Sequence, residues 1–227
     1  DDQTRALVRD DAATEEVAEH WLDSVGTSRV FMFLQLPAAA AAGDPADASA
    51  AYEARMARAD AAVGRLTAYL KSHQLYDRAT IVLVADHGEG LGEHGEQGHG
   101  LLAYDNVLRV PLIIKQPGAE HAGVRVDAPV QLIDIVPTIL DLAKAPGSSG
   151  LRGRSLAAAL SGRPVAEAPL YAESLFGQYR FGWAPLFSVI SGQYQLVSSG
   201  LHTELFDLSV PAAERTNLAE AQPAVVE

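Results

Sequence analysis

The sequence predicts an α/β fold with a mainly parallel sheet at its centre and a small antiparallel sheet at its C-terminal end. Three observations carry that prediction. Short β-branched apolar runs alternate with a long helical repeat, the rhythm of strands joined by crossovers. Brief strand-like runs crowd the last part of the chain, two of them separated by Ser191-Gly192, a hairpin signal. And one apolar run, Thr80-Ile81-Val82-Leu83-Val84-Ala85, gives out into a loop dense in glycine, histidine and carboxylates, where ligands bind in open α/β sheets.

Taken in order, residues 13–25 predict a helix, with Val17, Trp21 and Val25 recurring every four residues. Val30-Phe31-Met32-Phe33-Leu34-Gln35-Leu36 predicts a buried strand. Pro37 to Ser49 is alanine-rich, with Gly43, Asp44 and Pro45 as turn formers, and reads as a loop. A helix follows over 50–72, where Tyr52, Met56, Ala59, Val63, Leu66 and Leu70 draw one apolar stripe. Glu53, Arg55, Arg58, Asp60 and Arg65 fall off that stripe, as a solvated face should. Gly64 costs this helix roughly 1 kcal/mol against alanine, so packing must hold it.

Runs 80–85 and 110–114 predict two further buried strands, the second ended by Lys115-Gln116-Pro117-Gly118. In the helix over 132–143, Pro137 is tolerated only in a first turn, so the helix starts near Asp134, a natural cap. A glycine- and serine-rich joint, 145–150, divides an α/β core (1–147) from a small antiparallel subdomain (148–227). That subdomain holds a short helix near 155–161 and strands at 169–173, 186–190, 193–198 and 203–207, without internal repeats.

At 227 residues and 48% hydrophobic content, the chain can bury a sizeable core. Its net charge of −12 repels nucleic acid and anionic lipid, so neither is an expected partner. Sulfate and phosphate esters are repelled too, unless a metal and local arginines reverse the field at a site. With no cysteine there is neither a disulfide nor a thiolate ligand, and the redox compartment is left open. No apolar run reaches membrane-spanning length and no signal peptide opens the chain, but Asp1-Asp2-Gln3-Thr4 reads as the middle of something longer. Membrane association and oligomeric state are undetermined.

The chemistry concentrates in 86–100. Asp86, His87, Glu89, Glu93, His94, Glu96 and His99 are interleaved there with glycines. Carboxylate and neutral imidazole together suit zinc or manganese, and carboxylate alone suits calcium. Successive side chains on a strand point to opposite faces, so Asp86 and His87 converge only if the backbone turns at once, which Gly88 allows. His99 is then a ligand, a group behind a ligand, or a donor to an anionic substrate. Glu89, Glu93 and Glu96 either hydrogen-bond histidine rings from outside or form a solvated acidic edge. His94 and His121 read as exposed loop residues, His20, His73 and His202 carry no assigned role, and Arg109 reads as structural.

Together these residues form a familiar pattern. Asp-His-Gly-Glu-Gly-Leu-Gly-Glu-His-Gly at 86–95, Gly98-His99-Gly100 and Leu108-Arg109-Val110-Pro111-Leu112-Ile113-Ile114 resemble the sulfatase family of the alkaline phosphatase superfamily. Tyr76-Asp77-Arg78, Asp134-Ile135-Val136-Pro137-Thr138, Gly153-Arg154-Ser155-Leu156, Glu204-Leu205-Phe206-Asp207-Leu208 and Asn217-Leu218-Ala219 extend the likeness in family order, from about Ala50 onward. The resemblance implies a partial alkaline-phosphatase-like sandwich. It implies hydrolysis or transfer of a sulfate or phosphate group from a small anionic ester, through a covalent intermediate. By the same resemblance Asp86 and His87 bind a divalent metal, calcium in a sulfatase, zinc or manganese in a phosphate ester hydrolase or transferase. His99 stands where many sulfatases place a substrate-holding lysine and phosphoethanolamine transferases a histidine. A periplasmic or extracellular location follows from the family alone.

Two departures bound this expectation. The family nucleophile, in a Cys/Ser-x-Pro-x-Arg motif after an aspartate pair, is missing, and Asp1-Asp2 is in the wrong context to be that pair. The chain is therefore expected to be a C-terminal part without a catalytic nucleophile, inactive alone. Where relatives carry substrate-contacting histidines after the strand at 30–36, this chain reads Gln35-Leu36-Pro37-Ala38-Ala39-Ala40. A non-catalytic pseudoenzyme and a phosphoethanolamine or phosphoglycerol transferase relative stand as alternatives to the hydrolase.

Overall fold

The computed structural model describes residues 10–36, 48–147, 149–210 and 213–227, so most of the loop expected at 37–49 lies outside the described residues. Helix α1 (Asp11–Val25) begins where the Asp10 carboxylate accepts the Ala13 amide at 2.8 Å, an N-cap. It buries Asp11, Glu15, Ala18 and Leu22 and not the expected stripe, leaving Val17 and Trp21 exposed. Both sets have helical spacing, and the partner decides between them. Glu15 pairs with Arg65 at 2.6 Å on helix α2 (Ala48–Ser72). Nearby, the Tyr69 hydroxyl donates to Asp23 at 2.5 Å and to the Glu19 carbonyl at 3.1 Å. The Asp23 bond pushes the Tyr69 phenol up to about 12. Along α2 the six stripe residues are half-buried, while Arg55, expected on the solvated face, is buried with its guanidinium 5.7 Å from the Tyr52 ring centroid.

Residues 30–36 correct the sequence reading. They form no strand, and Phe31 and Phe33 stand 70% and 80% exposed. A strand exists only as part of a ladder, and no partner is found for this run among the described residues.

The chain divides into two compact units, Asp1–Ala79 and Thr80–Glu227, and the joint at 145–150 lies inside the second. That unit opens with β1 (Ile81–Val84), a two-residue hairpin of β2 (Gly90–Leu91) and β3 (Gln97–Gly98), a single turn α3 (Asp105–Leu108) and β4 (Leu112–Lys115). β4 returns antiparallel to β1, with Ile81 opposite Lys115 and Val84 opposite Leu112. All ladders among the described residues are antiparallel, which corrects the expected mainly parallel sheet. A parallel return takes a crossover, usually a helix, whereas the segment between β1 and β4 holds a hairpin and one turn and returns along the same edge.

Helix α4 (Ile135–Leu142) follows a tight turn at Leu132–Asp134. Asp134 does not cap α4 with its side chain; it closes a capping box with Gln131 around that preceding turn. After α5 (Ala157–Leu160) come β5 (Leu170–Ser174), the unpredicted helix α6 (Phe176–Phe181), β6 (Leu186–Ser191), β7 (Tyr194–Ser198), β8 (Thr203–Asp207) and the closing turn α7 (Pro223–Val226). The small antiparallel sheet is present as expected, in the order β5-β6-β7-β8. Its core is Val197, Leu205 and Phe206 with Ser188 and Gln195. The Gln195 amide donates to Ser188 and to the Ala103 carbonyl, both at 3.1 Å, and so ties the sheet to the chain just beyond the glycine-rich loop. No helix among the described residues is long and apolar enough to cross a membrane.

Candidate functional site

Asp86 and His87 stand immediately beyond β1, as the apolar run predicts. Gly88 is pressed against the chain that leads to β4: its amide donates to the Val107 carbonyl at 2.8 Å. A Cβ at Gly88 would lie 2.1 Å from the Asn106 carbonyl oxygen, so glycine is required there for close approach.

The local bonds choose what the His87 ring presents. Its Nδ1 lies 2.8 Å from the Gly88 carbonyl, which can only accept, so Nδ1 carries a hydrogen and, in the neutral ring, Nε2 is the nitrogen with the lone pair. Nε2 is 3.6 Å from Asp86 Oδ1, and the Asp86 side chain is 73% exposed. A carboxylate oxygen beside an imidazole lone pair, with the other ring nitrogen held by a backbone carbonyl, is the arrangement metal-ligating histidines adopt. The donor set fits a divalent cation.

His99 joins them. Its ring stacks on that of His87 with centroids 3.6 Å apart and planes at 26°. Its Nδ1 meets Glu89 Oε2 at 2.9 Å. Potential ligand atoms of His87, Glu89 and His99 lie within 4.8 Å of one another. The three site residues named from sequence thus gather at one strand end, and Glu89 joins them.

The three glutamates divide in a way the sequence did not foretell. Glu89 takes a histidine ring, whereas Glu93 accepts the Leu91 amide at 2.7 Å within the hairpin. Glu96 is buried, accepts the Leu101 and Leu102 amides at 2.8 and 3.3 Å, and anchors the chain after His99. Ser174 at the end of β5 donates to the Gly100 carbonyl at 2.5 Å and secures the same stretch.

His94 is exposed, as expected, but its ring is not without partners. Its ring stacks on Tyr104 at 3.8 Å, and its Nε2 lies 3.2 Å from Glu214. Burial pushes the Glu214 carboxyl up, opposed by the Asp105 amide and by His94. Burial, then the 2.5 Å bond to Glu204, pushes the Tyr104 phenol up. No sequence signal linked His94 to Glu214, because the contact spans 120 positions. Arg109 leads into β4 with its guanidinium in solvent, 3.8 Å from Asp105.

Residues 11–145 match the family model described as Sulfatase. The chain belongs to the sulfatase family. Residues 92–225 also match the model described as N-sulphoglucosamine sulphohydrolase, C-terminal. This sulfatase-family chain is 31% identical over 180 residues to arylsulfatase K of Danio rerio, covering 77% of the chain and 34% of that relative. It is 34% identical over 106 residues to the uncharacterized sulfatase YidJ of Escherichia coli strain K12, covering 47% and 21%. A solved phosphonate monoester hydrolase from Silicibacter pomeroyi is 29% identical, with a TM-score of 0.66 over 78% of this chain and 38% of its own. A 2-O GAG sulfatase, 23% identical with a TM-score of 0.67 over 78% and 40%, shares the fold. The chain spans about a third of the length of the arylsulfatase K relatives it matches. Sulfatases are generally metal-dependent and act on sulfate esters.

Proposed function

We propose that this chain forms the metal-binding and anion-binding side of an ester hydrolase site. Asp86 and His87 hold a divalent cation, and His99 donates to the sulfate or phosphate group of a small anionic ester. The nucleophile comes from outside these 227 residues. The observation that carries the reading is the convergence of Asp86 Oδ1, His87 Nε2 and the stacked His99 ring at one strand end. A bound cation would offset the chain's negative charge locally, activate the nucleophile and stabilise charge on the transferred group. The family resemblance implies calcium for a sulfate ester and zinc or manganese for a phosphate ester.

A second reading, with a phosphorus ester as substrate, is favoured by the 29% identity to a phosphonate monoester hydrolase and by histidine at position 99. Both are tested on the protein isolated at its natural length, assayed with 4-nitrophenyl sulfate and 4-nitrophenyl phenylphosphonate after loading with calcium, manganese or zinc. Hydrolysis abolished by Asp86→Ala is expected, and the preferred ester decides between the readings. Hydrolysis unaffected by that substitution would sink the site assignment. No hydrolysis with any metal, alongside intact cation binding, would favour the pseudoenzyme.

A further inference from the structure

We propose that Glu89 is the positioning residue of His99, fixing which ring nitrogen faces the anion. The inference rests on the reading of His99 as the anion-holding group. An imidazole between two glycines, Gly98 and Gly100, has no bulky sequence neighbour to restrain it. What restrains it is the hairpin. The β2–β3 register sets Gly90 opposite Gly98 and Leu91 opposite Gln97. Continued outward by one residue, that register sets Glu89 opposite His99. They meet as a cross-strand pair, Oε2 to Nδ1 at 2.9 Å.

A carboxylate can only accept, so His99 Nδ1 carries a hydrogen and is turned toward Glu89. That leaves Nε2 to meet the anion, where it donates as the imidazolium, the form in which both ring nitrogens carry hydrogen. The His87 ring, 3.6 Å away, holds one face of the His99 ring and limits its rotation. The Glu89 side chain is 17% exposed and that of His99 37%, so the carboxylate end of the bond is the better shielded from water. Bound to the Nδ1 side of the ring, the carboxylate supports His99 from the edge opposite Nε2. On this reading Glu89 acts on the substrate group through His99.

The test is a titration of the calcium-loaded protein with inorganic sulfate, read by the His99 ring nitrogen and carbon signals in NMR. Wild type, Glu89→Ala, Glu89→Gln and His99→Ala are compared. Wild type should show hydrogen on Nδ1. Glu89→Ala should lose that signature and bind sulfate about tenfold more weakly, the scale of one charge-assisted hydrogen bond. Glu89→Gln, whose amide oxygen still accepts from Nδ1, should keep the signature and stay within about threefold of wild type. Unchanged ring signals and sulfate affinity in Glu89→Ala, with His99→Ala weakened, would overturn the positioning role alone. Equal losses in Glu89→Gln and Glu89→Ala would also overturn it. Sulfate affinity unchanged in His99→Ala would overturn the anion-site reading beneath it.

Discussion

Asp86 and Asp134 both lie in stretches that carry the family resemblance, yet their surroundings are opposite. The Asp134 side chain is 3% exposed, and its two oxygens accept the Gln131 amide at 3.0 Å and the Arg154 amide at 2.8 Å. Its own carbonyl accepts the Thr138 hydroxyl at 2.6 Å, and that hydroxyl accepts the Leu156 amide at 2.8 Å. Asp86 accepts one amide, that of His87 at 3.1 Å, and otherwise faces solvent and an imidazole nitrogen. A buried carboxylate whose partners are all internal binds segments of chain together. An exposed carboxylate with spare acceptor capacity beside a second ligand atom is free to serve something from outside.

The comparison breaks if the two aspartates respond alike to removal. Asp134→Ala should cost about 3 kcal/mol, because the Gln131 and Arg154 amides lose their acceptor in a site shut from water. Urea unfolding reads this, and a midpoint equal to wild type would make Asp134 a surface ornament. Asp86→Ala should lower calcium or manganese affinity by about 100-fold in calorimetric titration while unfolding stays within about 0.5 kcal/mol of wild type. Large destabilisation without loss of cation affinity would reverse the roles.

A smaller effect sharpens the same contrast at Glu214, half enclosed between His94 and the Asp105 amide. Burial raises its carboxyl above the ordinary glutamate range, so folding favours the protonated form. Its contribution to stability is therefore fully present below about pH 4.3, the ordinary glutamate value, and lost as pH rises through the raised one. Glu214→Gln should remove that slope, and urea midpoints over the acidic range that remain parallel in the two proteins would contradict it.

How much of this was legible depended on the reach of the interaction. The elements 80–85, 110–114 and the four C-terminal strands follow from local apolar pattern, and each is found within a residue or two of its expected place. Asp86, His87 and His99 are legible because one short loop supplies all three. Glu89 was visible only as one of three candidate glutamates, since the two-residue hairpin that sets it opposite His99 has no strand-like composition. The buried face of α1 was misread because Glu15 goes inward to meet Arg65, fifty positions away. The strand expected at 30–36 met every local criterion, but strand pairing is a property of neighbours.

The sequence by itself determined the α/β class, the sulfatase-family landmarks and the residues that gather beyond β1, because strand periodicity and short loop spacing are encoded locally. Tertiary structure decided the antiparallel return of β4 onto β1, the pairing of the His94 ring with Tyr104 and Glu214, and the sealing of Asp134. Each of these depends on hydrogen bonds between distant segments, and their geometry exists only once the chain has folded back on itself.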